Sequence, residues 1–173
     1  HRLLLKNGVI KIIRTIGKAI TDDSGKAIEL FGTVQDISKQ KNIELKLKES
    51  EERYRYLAEL SKDSIYVINR NDEVEYVNEF AANLLGSTPK EIIGKKRHKF
   101  FPPDISEKQN ENLQEVFNTG KINRLEAKIT FSGYETWQDN YLIPLKNEDN
   151  KVRAVMGISR DITKRVQTEK ALQ

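Results

Sequence analysis

Sliding the sequence against itself by 125 residues brings two segments into coincidence, and that internal repeat constrains the fold more than any other feature. Gly32, Asp36, Ile37 and Lys39 fall on Gly157, Asp161, Ile162 and Lys164, and Ser38 falls on Thr163. The correspondence continues without a gap: Gly8 meets Gly133, Lys26 meets Lys151, Glu44 meets Glu169 and Leu47 meets Leu172. One unit therefore occurs twice, the first time cut short at its start. Residues 1–38 read as the C-terminal strands of a truncated first copy, and 39–60 as a linker helix. Residues 61–163 read as a complete copy, and 164–173 as the start of an exit helix. On this reading the chain is a fragment of a longer protein.

Composition removes several function classes. The chain has no cysteine, which excludes disulfides, thiolate nucleophiles, iron–sulfur clusters and cysteinyl-flavin adducts. It has two histidines, His1 and His98, too few for a multi-histidine metal site, so no metal is expected. No apolar run reaches the roughly 18 residues of a membrane span, and the basic first residues lack the h-region of a signal peptide. No membrane contact by this fragment is expected. The net charge of +4 arises from 30 basic and 26 acidic residues, a mixed surface and not a nucleic-acid-binding composition. No phosphate-binding glycine loop, dinucleotide fingerprint or His-Glu-x-x-His pattern occurs, so no catalytic residues are assigned.

Asn7-Gly8 between apolar runs marks a hairpin turn and Asp22-Asp23-Ser24-Gly25 a second, so residues 2–5, 9–16 and 27–36 read as three antiparallel strands. Residues 36–60 hold no Gly or Pro and are rich in Glu, Lys and Leu, which predicts a helix N-capped by Asp36 or Ser38. Along it Ile43, Leu47, Tyr54 and Leu57 follow the 4-3 step of a coiled-coil seam, with Ser50 and Ser61 as polar breaks. The seam is read as a homodimer contact. A single amphipathic helix lying on its own domain is the alternative.

In the complete copy, Ser64–Ile68 is a strand apolar on both faces, Asn71-Asp72 a turn, and Val74–Val77 the hairpin partner. Asn78 is placed to cap a short helix that Gly86 ends, and Thr88-Pro89-Lys90-Glu91 is a capping box opening a helix that stops at Gly94. A longer helix follows from Asp104 to Asn118, stopped by Gly120. Strands near 122–131, 135–145 and 151–160 come last, with turns at Ser132-Gly133 and Asn147–Asn150. Two strands, several short helices and three strands predict an α+β layer architecture.

These residues resemble the PAS sensory domains. The resemblance covers 51–164 and the strands of the first copy. It rests on Glu51-Glu52-Arg53-Tyr54-Arg55-Tyr56-Leu57, on Tyr76-Val77-Asn78, on Gly86 and Gly94, and on the exit motif Gly157-x-x-x-Asp161-Ile162-Thr163. It implies the PAS fold: a five-stranded antiparallel sheet with short helices on one face, flanked by N- and C-terminal signalling helices. Tandem PAS domains joined by helices look like the cytoplasmic input region of a prokaryotic sensor, most often a two-component sensor histidine kinase, whose catalytic output lies elsewhere in the chain. The resemblance leaves open whether the parent is membrane-anchored. The alternative is a ligand-free interaction or spacer module of a diguanylate cyclase, chemoreceptor or transcription regulator.

The resemblance also places a ligand cavity between sheet and helices. On this sequence it implicates Ile65, Val67, Tyr76, Phe80, Leu84, Leu113, Phe117, Ile129, Trp137, Tyr141, Met156 and Ile158, with an ordinary packed core as the competing reading. No cofactor is the leading expectation. Haem is disfavoured because His98 sits in the charge run Lys95-Lys96-Arg97-His98-Lys99, and a flavin would have to bind noncovalently. That basic run is read as a solvated loop, so nucleic acid is not an expected partner. The expected partners are a second copy, the downstream output domain of the same chain, and a small-molecule ligand. Asp36 with Ser38, and Asp161 with Thr163, are read as junctions passing strand movement to a helix.

Overall fold

The structure, a computed structural model, describes residues 1–131 and 134–172. The expected turn at Ser132-Gly133 and the end of the exit helix at Gln173 lie outside the described residues. The chain divides into two compact units, residues 1–55 and residues from Tyr56 onward.

The first unit carries an antiparallel sheet in the order β1-β2-β3, formed by β1 (Arg2–Leu4), β2 (Ile10–Thr21) and β3 (Ala27–Asp36). The Asp22 carboxylate holds the second turn by accepting from the Ser24 and Lys26 N–H groups at 2.9 and 3.0 Å. β2 runs past the Ile16 end that its sequence suggests. Gly17 does not stop it, because Gly17 pairs with Gly32, where the strands approach so closely that a Cβ on Gly32 would collide with the Ile16 carbonyl. Most apolar side chains of this sheet are exposed, Leu30 at 79% and Val34 at 66%, whereas Ile12 and Ile13 are half-buried. Helix α1 (Ser38–Glu59) follows and buries no residue. Its seam positions Ile43, Leu47, Tyr54 and Leu57 are all exposed.

The second unit holds a five-stranded antiparallel sheet in the order β5-β4-β8-β7-β6. Its strands are β4 (Ser64–Asn69), β5 (Val74–Val77), β6 (Asn123–Phe131), β7 (Tyr134–Lys146) and β8 (Val152–Asp161). Between β5 and β6 lie α2 (Glu79–Leu84), α3 (Pro89–Ile92), a 3-10 turn at Arg97–Phe100 and α4 (Pro103–Thr119). Helix α5 (Thr163–Ala171) leaves the sheet. The Thr88–Glu91 capping box forms as the sequence indicates. Helix α4 begins one residue earlier than expected, because Pro103 has the fixed φ that suits a first helical position.

The core joins the two layers. Ile68, Val74, Leu142 and Val155 of the sheet pack with Ala82, Ile92, Leu113, Val116 and Phe117 of the helices. Asn78 is fully buried at its edge and is fully used. Its Oδ1 accepts from the Ile65 and Ala81 N–H groups at 3.1 and 3.0 Å, and its Nδ2 donates to the Ala58 and Asp63 carbonyls at 3.0 Å each. The motif Tyr76-Val77-Asn78 thus ties the end of α1, β4 and the start of α2 to one amide.

The repeat seen in the sequence is repeated in the pairing. Ile13↔Asp36 and Gly17↔Gly32 in β2–β3 become Gln138↔Asp161 and Leu142↔Gly157 in β7–β8, each position displaced by 125. The strand-to-helix junction follows suit. Asp36 accepts the Ser38 N–H at 3.0 Å and Asp161 the Thr163 N–H at 2.8 Å. The Ser38 hydroxyl accepts the Ile12 N–H at 2.8 Å, and the Thr163 hydroxyl the Trp137 N–H at 2.9 Å. Ile37 and Ile162 are buried, and their N–H groups donate to the carbonyls of Ile12 and Trp137, both at 2.8 Å.

Candidate functional site: a cavity between sheet and helices

A cavity of about 490 Å³ lies in the second unit between the helices and the inner face of the sheet, within the size range of small-molecule sites. The helical wall is apolar over Ala81, Leu84, Leu85, Ile92, Ile105 and Leu113, and carries the polar groups of Asp104, Lys108, Gln109 and Asn112 as well. The sheet supplies two kinds of surface. Ile68 and Val155 pair at one end, and the side chains become polar toward the other, where Ser64 pairs with Ser159 and Ser159 with Asn140. The Ser159 hydroxyl donates to Asn140 Oδ1 at 2.5 Å. Burial pushes the Tyr66 phenol above its ordinary pKa, against the opposing pull of its hydrogen bond with Ser159 and of the Arg97 charge.

Tyr66 can lie in this wall because its partner across the strands is Gly157. A Cβ on Gly157 would fall inside the Tyr66 ring. The glycine of the exit motif is therefore the residue that makes room for an aromatic floor.

Arg97 closes one end and is 4% exposed. Its guanidinium donates to Asp72 Oδ1 and to Gln109 Oε1, both at 2.7 Å, and makes longer contacts to the Ser106 hydroxyl and carbonyl. Asp72 also meets His98 Nδ1 at 2.8 Å. Burial is the largest single influence on the Asp72 carboxyl and pushes its pKa up. The His98 and Arg97 interactions together outweigh it and hold the carboxyl below its usual range. Asp72 has φ of 61°, a left-handed conformation that Asp tolerates better than most residues.

A family model described as the PAS fold matches residues 58–167. The chain belongs to this family. Its second unit is a PAS domain, a sensory module. Sporulation kinase A of Bacillus subtilis is 29% identical over 142 residues, covering 79% of this chain and 23% of that protein. The methyl sulfide methyltransferase-associated sensor of Methanosarcina acetivorans is 27% identical over 132 residues, covering 72% of this chain and 12% of that protein. The chain thus spans a minor part of the length of the curated relatives it matches. The PAS domain of BvgS from Bordetella pertussis superposes with a TM-score of 0.56 at 20% identity, covering 75% of this chain and 97% of that one, a likeness of fold.

Of the residues that the resemblance assigned to the cavity, Leu84, Leu113 and Ile129 line it. Ile65, Val67, Tyr76, Trp137, Tyr141, Met156 and Ile158 do not. They occupy the alternate positions of their strands, linked by the pairs Val67↔Tyr76, Ile65↔Ile158, Val67↔Met156 and Tyr141↔Ile158, and so share the outer face. Side chains alternate with a period of two, so an assignment one residue out of step moves a whole set to the other face. Trp137 and Tyr141 there lie under Lys170 and Arg124, at 5.5 and 4.9 Å from the ring centroids. Phe117 is buried beside the cavity and stacks with Arg70 at 4.9 Å, and Phe80 is partly buried on α2.

The polar lining, which includes Ser64, Gln138, Asn140 and Ser159, and the Tyr66 floor are not among the residues that the resemblance indicates. Small polar residues in half-apolar strands look like solvent positions. The signal that could have placed them is Gly157, since a glycine in mid-strand marks a close approach by a bulky neighbour. No group of three or more His, Asp or Glu among the described residues is placed to hold a metal ion. No helix among them is long and apolar enough to cross a membrane.

Proposed function

We propose that the second unit is the input module of a signal-transduction protein, most consistent with a two-component sensor histidine kinase, in which a small molecule in the cavity biases the helix leaving the domain. The observation that carries this reading is the continuity of β8. Ser159 faces the cavity, and two residues later Asp161 accepts the first N–H of α5. Thr163 and Ile162 then fasten that turn to Trp137 of β7. A ligand that alters the β7–β8 pair acts directly on the strands to which the helix is pinned, and biases whichever helix position it binds better. The kinase assignment draws on the likeness to sporulation kinase A, with phosphotransfer chemistry in segments outside this chain.

On the same reading residues 1–38 are the last three strands of a preceding PAS copy, supported by the shared β-register and junction. The exposed row Ile43, Leu47, Tyr54 and Leu57 supports a homodimer through α1. It also favours the second reading, a ligand-free dimerising spacer. Native mass spectrometry and an absorption spectrum of the purified chain separate the two. A retained small molecule supports the sensor. A chain that is empty after purification, and stays empty when challenged with metabolite pools, leaves the spacer.

A further inference from the structure

Granting that the cavity is a ligand site, we propose that its ligand is an uncharged molecule carrying an amide-type N–H and C=O pair on an apolar body, and not a carboxylate or phosphate. The deep charge of the cavity is already spent. Arg97 is engaged by Asp72, Gln109 and Ser106, so an anion recruiting it would have to displace Asp72 or Gln109. Asp72, with 23% of its side chain exposed, would then lose an ion partner in a poorly solvated place. The other charged lining residues, Asp104, Lys108 and Lys128, are exposed, mixed in sign and solvated, and Lys128 is tied to Glu135 at 2.7 Å. Lys108 has no carboxylate partner among the described residues but sits exposed to solvent, so an anion drawn inside would give up its hydration without a counter-charge beside it, which is the costliest form of burial.

The interior polarity is neutral and incompletely used. Ser159 occupies Asn140 Oδ1 as an acceptor. Asn140 Nδ2 is left with two long contacts, to the Leu125 carbonyl at 3.4 Å and the Gln138 carbonyl at 3.5 Å, which leaves it available as a donor. Gln138 lies two residues along β7 on the same face, and its side-chain amide makes no hydrogen bond to another described residue. Together they offer a donor from Asn140, and a donor and an acceptor from Gln138. A lactam, primary amide or ureide presents the complement. The opposite wall of Leu85, Ile92 and Leu113 accepts a ring or short hydrocarbon.

Benzamide and benzoate test this, since they share a ring and differ in charge. Both are titrated into the full 173-residue chain at neutral pH and followed by backbone amide shifts in NMR. The expected result is saturable binding of benzamide, centred on residues 138–142 and 157–159, with benzoate at least about tenfold weaker. Gln138→Leu, and separately Asn140→Leu, should shrink that preference, and either variant that retains the wild-type pattern of amide dispersion serves. Benzoate binding as tightly as benzamide, or a preference unchanged in a folded variant, overturns the inference and leaves the cavity as a ligand site. If neither probe binds up to millimolar concentration and the purified chain carries no small molecule, the ligand-site reading falls as well.

Discussion

Gly157→Ala is the substitution that most directly probes how this sheet makes its cavity. The added methyl would overlap the Tyr66 ring, and the ring has core side chains around it, so either the strand pair opens or the ring swings toward the cavity. Overpacking of this kind costs about 1–3 kcal/mol, set against about 0.4–1 kcal/mol gained from the lower chain entropy of the unfolded state. The expected net loss is about 1–2 kcal/mol. With a urea slope of about 1–3 kcal/mol per molar, the midpoint falls by roughly 0.3–2 M. Trp137, the lone tryptophan, lies in β7 and reports the second unit by fluorescence. Tyr66→Ala removes the colliding ring at its own cost. If the collision is the reason for the glycine, the double variant should be more stable than the sum of the single losses by about 1 kcal/mol or more. Additivity of the two losses within about 0.5 kcal/mol would refute the argument. Ring displacement also breaks the Tyr66–Ser159 interaction, so Gly157→Ala should weaken benzamide binding by more than its stability loss alone explains.

The other expectations concern the helices and the Asp72 cluster. Changing Leu47 and Leu57 together to Asp should convert a dimer to a monomer in light scattering at micromolar concentrations while far-ultraviolet dichroism stays unchanged, and a mass unaffected by the pair would remove α1 as the contact. Asp161→Ala deletes the carboxylate that accepts the Thr163 N–H, and should lower stability by about 0.5–2 kcal/mol. In the full-length protein it should also uncouple output from ligand, so an undiminished response would reduce Asp161 to a cap. Asp72 has its folded pKa held below the unfolded value, so its contribution is fully present above about pH 4 and is lost as pH falls through the folded value. The urea-midpoint gap between wild type and Asp72→Asn should accordingly be widest at neutral pH and narrow below about pH 4, and a gap independent of pH would contradict the assigned pairing.

How much of this was legible in the sequence divides along a physical line. Local chemistry reads directly. Thr88 and Glu91 announce a capping box, Asn78 a cap, Gly86, Gly94 and Gly120 the ends of helices, and each forms where its residues say. The 125-residue correspondence reads too, because the Asp-Ile-Ser/Thr positions of both junctions make the same hydrogen bonds. The lining of the cavity did not read, because alternation identifies the inner face only when one phase is apolar and the other polar. In β4 one phase holds Ile65 and Val67 and the other Tyr66 and Ile68, so hydrophobicity is silent on which faces the helices. In β7 and β8 it misleads. The inner phase carries Gln138, Asn140 and Ser159 because the cavity is partly polar, while the outer phase carries Trp137, Tyr141, Met156 and Ile158. A site that binds through neutral amides must place polar residues where a core would place apolar ones. The departure from the expected pattern and the proposed ligand chemistry therefore have one cause, and strands that turn polar side chains toward the helices at one end of an otherwise apolar inner face are themselves a reason to look for a ligand there.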